Sequence, residues 1–122
     1  ALTKAIIGQY NDEDVSLLPQ HLKYRYFTKL PNGLWQVKDI VKKEVLFRKF
    51  NLMNEIFPFK KKFHVIFCRN VMIYFDDKTK KELVNKYYNS LETGGYLFIG
   101  HSETLGRSSA FKYVQPALYR KG

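Results

Sequence analysis

The chain has 122 residues, 45% of them hydrophobic and 16% aromatic, a composition that fits one soluble folded domain and excludes a disordered chain. Twenty-one Lys and Arg against eleven Asp and Glu give a net charge of +10, which favours an acidic partner without choosing among nucleic acid, an anionic membrane surface and an acidic protein. No apolar run approaches the roughly 20 residues that span a bilayer, the opening ALTKAIIGQYNDEDV lacks the form of a signal peptide, and the single Cys68 excludes an internal disulfide and a cysteine-rich metal site. A cytoplasmic location is the simplest expectation.

Residues 2–10 read as the tail of a helix, with Leu2, Ala5 and Ile6 on one face and Gly8 as its stop. No capping residue precedes them, so the chain is expected to have been cut from a larger protein. Pro19 opens a second helical segment, residues 20–27. Pro31-Asn32-Gly33 is a tight-turn signal. After it, residues 34–37 and 41–47 alternate partially between apolar and charged, which predicts an exposed antiparallel ribbon. Residues 45–52 are expected to re-enter the main sheet, with Asn51 near its edge.

The run Val65-Ile66-Phe67-Cys68 is β-branched and aromatic without alternation, the pattern of a parallel strand covered on both faces. It ends abruptly in Arg69 and Asn70. Asp76 or Asp77 caps the next helix, in which Leu83, Val84, Tyr87, Tyr88 and Leu91 share one face, and Gly94-Gly95 is its expected stop. A second buried strand over residues 96–99 runs into Gly100-His101-Ser102-Glu103, and residues 111–114 and 117–120 read as a closing hairpin around Pro116. Strand, helix and strand in this order predict a parallel crossover unit of the α/β class.

Chemistry is expected where the two strands end, because ligands of open α/β sheets sit outside the carboxyl ends of strands. Arg69 and Asn70 would there meet the residues 100–103. The plain structural alternative is a loop held by local hydrogen bonds. His101-Ser102-Glu103 cannot be a hydrolytic triad, whose members converge from separate elements. Tyr74 in its apolar segment is by default a core residue, Trp35 could either bind a partner or pack inward, and Cys68 reads as a small buried residue rather than an activated thiol. There is no phosphate-cradling glycine loop, no paired-carboxylate signature and no metal-ligand spacing.

The strings IFCRNVMIYFDD (66–77) and LETGGYLFIGHSE (91–103) closely resemble the CheR-type chemoreceptor glutamate methyltransferases. GQY (8–10), LLPQHLKYRYF (17–27) and FRKFNLMN (47–54) fit the same family in order, so the resemblance covers essentially the whole chain. It implies a Rossmann-like α/β fold, S-adenosylmethionine as cofactor, and transfer of its methyl group to glutamates in the cytoplasmic domain of methyl-accepting chemotaxis receptors. By the same resemblance, Asn51 and Leu52 line the adenine side of the cofactor, Arg69 and Asn70 contact its amino acid portion, and Tyr74 stands beside the methyl group. Residues 27–47 would form the family's inserted β-subdomain for receptor contact, and the short turn at residues 30–33 points to a form that needs no tether peptide.

The resemblance also implies that the family's helical N-terminal domain, glycine-rich cofactor loop and ribose-binding acidic residue lie upstream of residue 1. The chain then represents a C-terminal portion of the methyltransferase domain, inactive alone. Two central strands would be missing between the one ending near Asn51 and the one ending at Arg69. Strand exchange with a second copy, an altered packing or marginal stability is the consequence expected of such a piece. Two alternatives remain open at this point: a non-catalytic receptor-docking module, and a basic nucleic-acid binder, against which the aromatics speak because they fall mostly inside apolar periodic segments.

Overall fold

The computed structural model describes residues 1–106 and 109–122. Two units divide the chain, Ala1–Phe50 and Asn51–Gly122, each with its own sheet.

In the first unit, α1 (Leu2–Ile7) ends where Gly8 adopts a left-handed conformation, as its sequence predicts. β1 (Gln9–Tyr10) follows at once, and α2 (Asp12–Val15) starts in a capping box in which the Asn11 side chain accepts from Asp14 N and Asp14 reaches back. Pro19 precedes α3 (Gln20–Tyr26), which passes directly into β2 (Phe27–Lys29). The Asn-Gly turn closes a hairpin from β2 to β3 (Trp35–Val37), with Leu30 N bonded to Leu34 O at 2.8 Å. The antiparallel order is β1-β3-β2.

The ribbon therefore differs from its prediction. Its second strand is β2, before the turn, and the residues 41–47 are not a strand. α4 (Asp39–Lys42) occupies part of them, with Asp39 in its first turn and Lys42 N bonded to Lys38 O. The alternation there was too partial to compete with a locally bonded turn. Trp35, 3% exposed, packs inward, donates from Nε1 to Asp12 Oδ1 at 2.6 Å and lies under the Lys23 ammonium.

In the second unit, Asn51 lies in a turn, not at a strand edge, since its Oδ1 accepts from Met53 N and its carbonyl from Asn54 N. β4 (Phe63–Cys68) leads through a single 3-10 turn, Met72–Tyr74, to α5 (Asp77–Ser90), whose Asp76 cap accepts from Thr79 N at 2.8 Å. Leu83, Val84 and Tyr87 form its buried face. β5 (Leu91–Ile99) returns parallel to β4, then β6 (Lys112–Gln115) and β7 (Leu118–Arg120) add the predicted hairpin in the order β4-β5-β7-β6. Met72, Leu83, Leu91, Leu97 and Ile99 are the fully buried centre.

Two expectations are corrected here. Gly94-Gly95 does not stop α5. It lies inside β5, where the register slips between the Phe63↔Leu91 and Val65↔Tyr96 pairs and a side chain on Gly95 would meet Glu92 O at 2.8 Å. Nor is β4 covered on both faces: it is an edge strand in this sheet, with Val65 43% and Phe67 68% exposed and only Cys68 buried. Its composition reports what the strand is able to bury, while the described residues pair it on one side only.

Candidate functional site

Parallel pairing of β4 with β5 sets Cys68 opposite Ile99, so both strands end at the same level. The chain leaves β4 at Arg69 and turns at Asn70, whose φ of 59° is the left-handed region that Asn tolerates better than most residues. β5 gives way to Gly100. These two strand ends are joined by Glu103, a side chain with 7% exposure.

One carboxylate oxygen of Glu103, Oε1, accepts from Asn70 N at 3.0 Å and from Gly100 N at 2.7 Å, and the other, Oε2, accepts from Ile73 N at 3.1 Å. A buried carboxylate is costly without partners, and backbone N–H donors supply them here. Gly100 is required by space. A Cβ there would collide with Asn70 Oδ1 and lie 2.7 Å from Glu103 Oε1.

Beyond the strand end, Met72 (1% exposed) anchors the 3-10 turn, while Tyr74 on the same turn is 80% exposed. Arg69, Asn70 and Tyr74 thus stand as three exposed polar groups at one rim of the sheet. At the end of β4 the buried Tyr87 hydroxyl donates to Cys68 Sγ at 2.8 Å. Burial pushes the Cys68 thiol above its usual value, and the Glu103 charge adds to that rise against the hydrogen bond from Tyr87. The Tyr87 phenol is likewise raised, chiefly by burial.

Of the residues singled out from the sequence, Arg69 and Asn70 follow the end of β4 directly, and Tyr74 lies on the 3-10 turn whose Ile73 amide shares the Glu103 carboxylate with Asn70. Asn51 and Leu52 lie on a turn fastened to α5 by Lys86 Nζ, which donates to Leu52 O at 3.1 Å. Among the described residues no hydrogen bond joins that turn to the strand ends. A concavity of about 500 Å³ between α5 and the segment around Leu105 and Phe111 includes none of these residues. Sequence reasoning missed the part played by Glu103. Its available signal was an acidic residue four positions past the end of an apolar strand and three after the glycine that follows it.

A family model described as CheR methyltransferase, SAM binding domain, matches residues 1–119. The chain belongs to this family. Its matched domain is one that binds S-adenosylmethionine, and its relatives carry names to match. A chemotaxis protein methyltransferase of Borreliella burgdorferi is 49% identical over 120 residues, covering 98% of this chain and 42% of that protein. Chemotaxis protein methyltransferase Cher2 of Pseudomonas putida is 38% identical over 93% of this chain and 42% of its own length. Chemotaxis protein methyltransferase 2 of Vibrio cholerae is 37% identical over 93% and 40%. The chain thus spans about two-fifths of the length of these curated relatives. Among the described residues no helix is long and apolar enough to cross a membrane.

Proposed function

We propose that this chain contributes one wall of an S-adenosylmethionine site in an enzyme that methylates glutamate side chains of chemotaxis receptors. The observation that carries the reading is the rim at the carboxyl ends of β4 and β5, where Arg69, Asn70 and Tyr74 are exposed and where Glu103 ties Asn70 N to Gly100 N. Arg69 and Asn70 hold the amino acid portion of the cofactor and Tyr74 faces the reacting end. Asn51 and Leu52 hold the adenine side, which requires their turn to be completed by the rest of the protein. The edge of β4 that is unpaired among the described residues is the place where further strands of the family's sheet add.

When bound, S-adenosylmethionine supplies a methyl group already activated by its sulfonium, so the demand on the chain's residues is alignment and exclusion of water. Tyr74 orients the acceptor carboxylate through its hydroxyl. No general base is needed, because a glutamate is ionised near neutral pH. The +10 charge supports an acidic receptor surface as the partner, by raising the rate of encounter. Residues 27–47, which include the β2–β3 hairpin, serve as the receptor-contacting β-subdomain.

The test is calorimetric titration of S-adenosylhomocysteine into this chain and into a chimera that supplies the remainder of the Borreliella burgdorferi relative. The chimera is expected to bind, and Asn70→Ala to weaken binding at least about tenfold, the loss of more than one polar contact. A chimera that binds equally well with Asn70→Ala and Arg69→Ala refutes the assignment of the rim. Binding of an acidic receptor fragment by a chimera that takes no S-adenosylhomocysteine supports the docking module instead.

A further inference from the structure

The geometry points to Glu103 as a positioning residue of this site, one that divides its work between its two oxygens. The inference rests on the cofactor reading of the strand ends. Oε1 ties Asn70 N to Gly100 N and so fixes the two strand ends that face the cofactor, and Oε2 holds Ile73 N, the residue before Tyr74.

Each tie has a specific consequence. Asn70 adopts a left-handed backbone that carries a cost for any residue but glycine, and the bond from its N–H to Oε1 holds that conformation. Its side-chain oxygen is thereby set against Gly100, close enough that no Cβ fits between them. Tyr74 is 80% exposed, so packing of its ring does not orient it. What fixes its place is the backbone: Met72 buried below, Tyr74 N bonded to Val71 O at 3.3 Å, and Ile73 N held by Oε2. Three backbone N–H groups hold the Glu103 carboxylate, and among the described residues it forms no ion pair. Displacements near 1 Å at a reacting group cost about a hundredfold in rate. A clamp of this kind is worth most where the chemistry consists of alignment.

The two-oxygen division allows the roles to be separated. In Glu103→Gln the amide oxygen takes the place of Oε1 and keeps Asn70 and Gly100, whereas the amide nitrogen presents N–H to the N–H of Ile73 and releases the Tyr74 turn. Glu103→Ala releases all three amides. Both variants are made in the chimera, and amide hydrogen exchange, affinity for S-adenosylhomocysteine and methyl-transfer kcat are read together.

In Glu103→Gln the Ile73 amide is expected to exchange faster while Asn70 stays protected, with affinity within about threefold of wild type and kcat lowered about thirtyfold or more. In Glu103→Ala all three amides open and affinity falls at least about tenfold. Protection of Leu97 in β5 reports that the fold persists, and if Glu103→Ala does not fold, Glu103→Gln decides. A Glu103→Gln protein that loses affinity and rate together, or that keeps Ile73 protected, or that turns over normally, overturns the inference. A wild-type chimera that binds no S-adenosylhomocysteine refutes the cofactor reading and this inference with it, whereas wild-type binding with unchanged variants refutes the inference alone.

Discussion

Lys121→Met removes one ammonium and leaves its apolar stem, so it isolates what the charge does. Lys121 Nζ donates to Tyr88 O and to Leu91 O, each at 2.8 Å, and lies 4.6 Å from the centre of the Tyr88 ring. It thereby pins the carboxyl end of α5 to the last strand, where a helix exposes carbonyls and favours a cation. Two hydrogen bonds from a charged donor contribute about 1.5–3 kcal/mol each when dry, but this site is half-buried and water can replace much of that. With about 0.5 kcal/mol each for the helix end and the ring, a net loss near 2 kcal/mol is expected.

Urea unfolding followed by far-ultraviolet circular dichroism reads this loss through α5. With a slope of about 1.5 kcal/mol per molar, the midpoint falls by roughly 1.3 M. The control is Lys112→Met on exposed β6, which removes the same charge from a +10 chain without those bonds, and should shift stability by less than about 0.5 kcal/mol. If the two variants unfold alike, the bonds of Lys121 contribute nothing beyond net charge and the reasoning fails.

Two further outcomes follow from the titratable groups. The Asp12 carboxyl is held below its ordinary value of 3.8, first by the Trp35 indole N–H and then by Lys29, so its stabilising contribution is complete above that value and is lost as pH falls through the lowered one. Fluorescence of the single tryptophan should report this acid transition, and Asp12→Asn should abolish it; an unchanged transition in the variant would assign the effect elsewhere. Cys68 is 5% exposed and its thiol is raised from 9.0, so alkylation of the folded chain should run about a hundredfold slower than in urea. Rates within threefold of each other would mean that β4 opens readily.

Features announced by local chemistry were legible in the sequence. Gly8 stops α1, Pro19 precedes α3, Asn32-Gly33 turns the hairpin and Asp76 caps α5, because each signal acts within a few residues of itself. The failures involve partners distant in the chain. Residues 41–47 carried a strand-like pattern but β3 was already paired with β1 and β2. The candidate site was half legible for the same reason: Asn70 and Tyr74 are visible as polar residues at a strand end, whereas the part of Glu103 emerges only when amides 30 and 33 positions away arrive at its carboxylate.

The open side of β4 has a consequence for the company this chain keeps. Phe63, Val65 and Phe67 are exposed along the edge of β4 that is unpaired among the described residues, the form of edge to which a further strand can add. Its ends are guarded by Lys60, Lys61 and Lys62 on one side and Arg69 on the other. Pairing two copies antiparallel along the full strand would set Lys62 against the other copy's Arg69, and pairing them parallel would stack the lysines on themselves. In this chain taken alone, like charges at both ends of the strand oppose pairing of two copies more than pairing with a strand of neutral or acidic flanks, a bias that weakens as salt screens it.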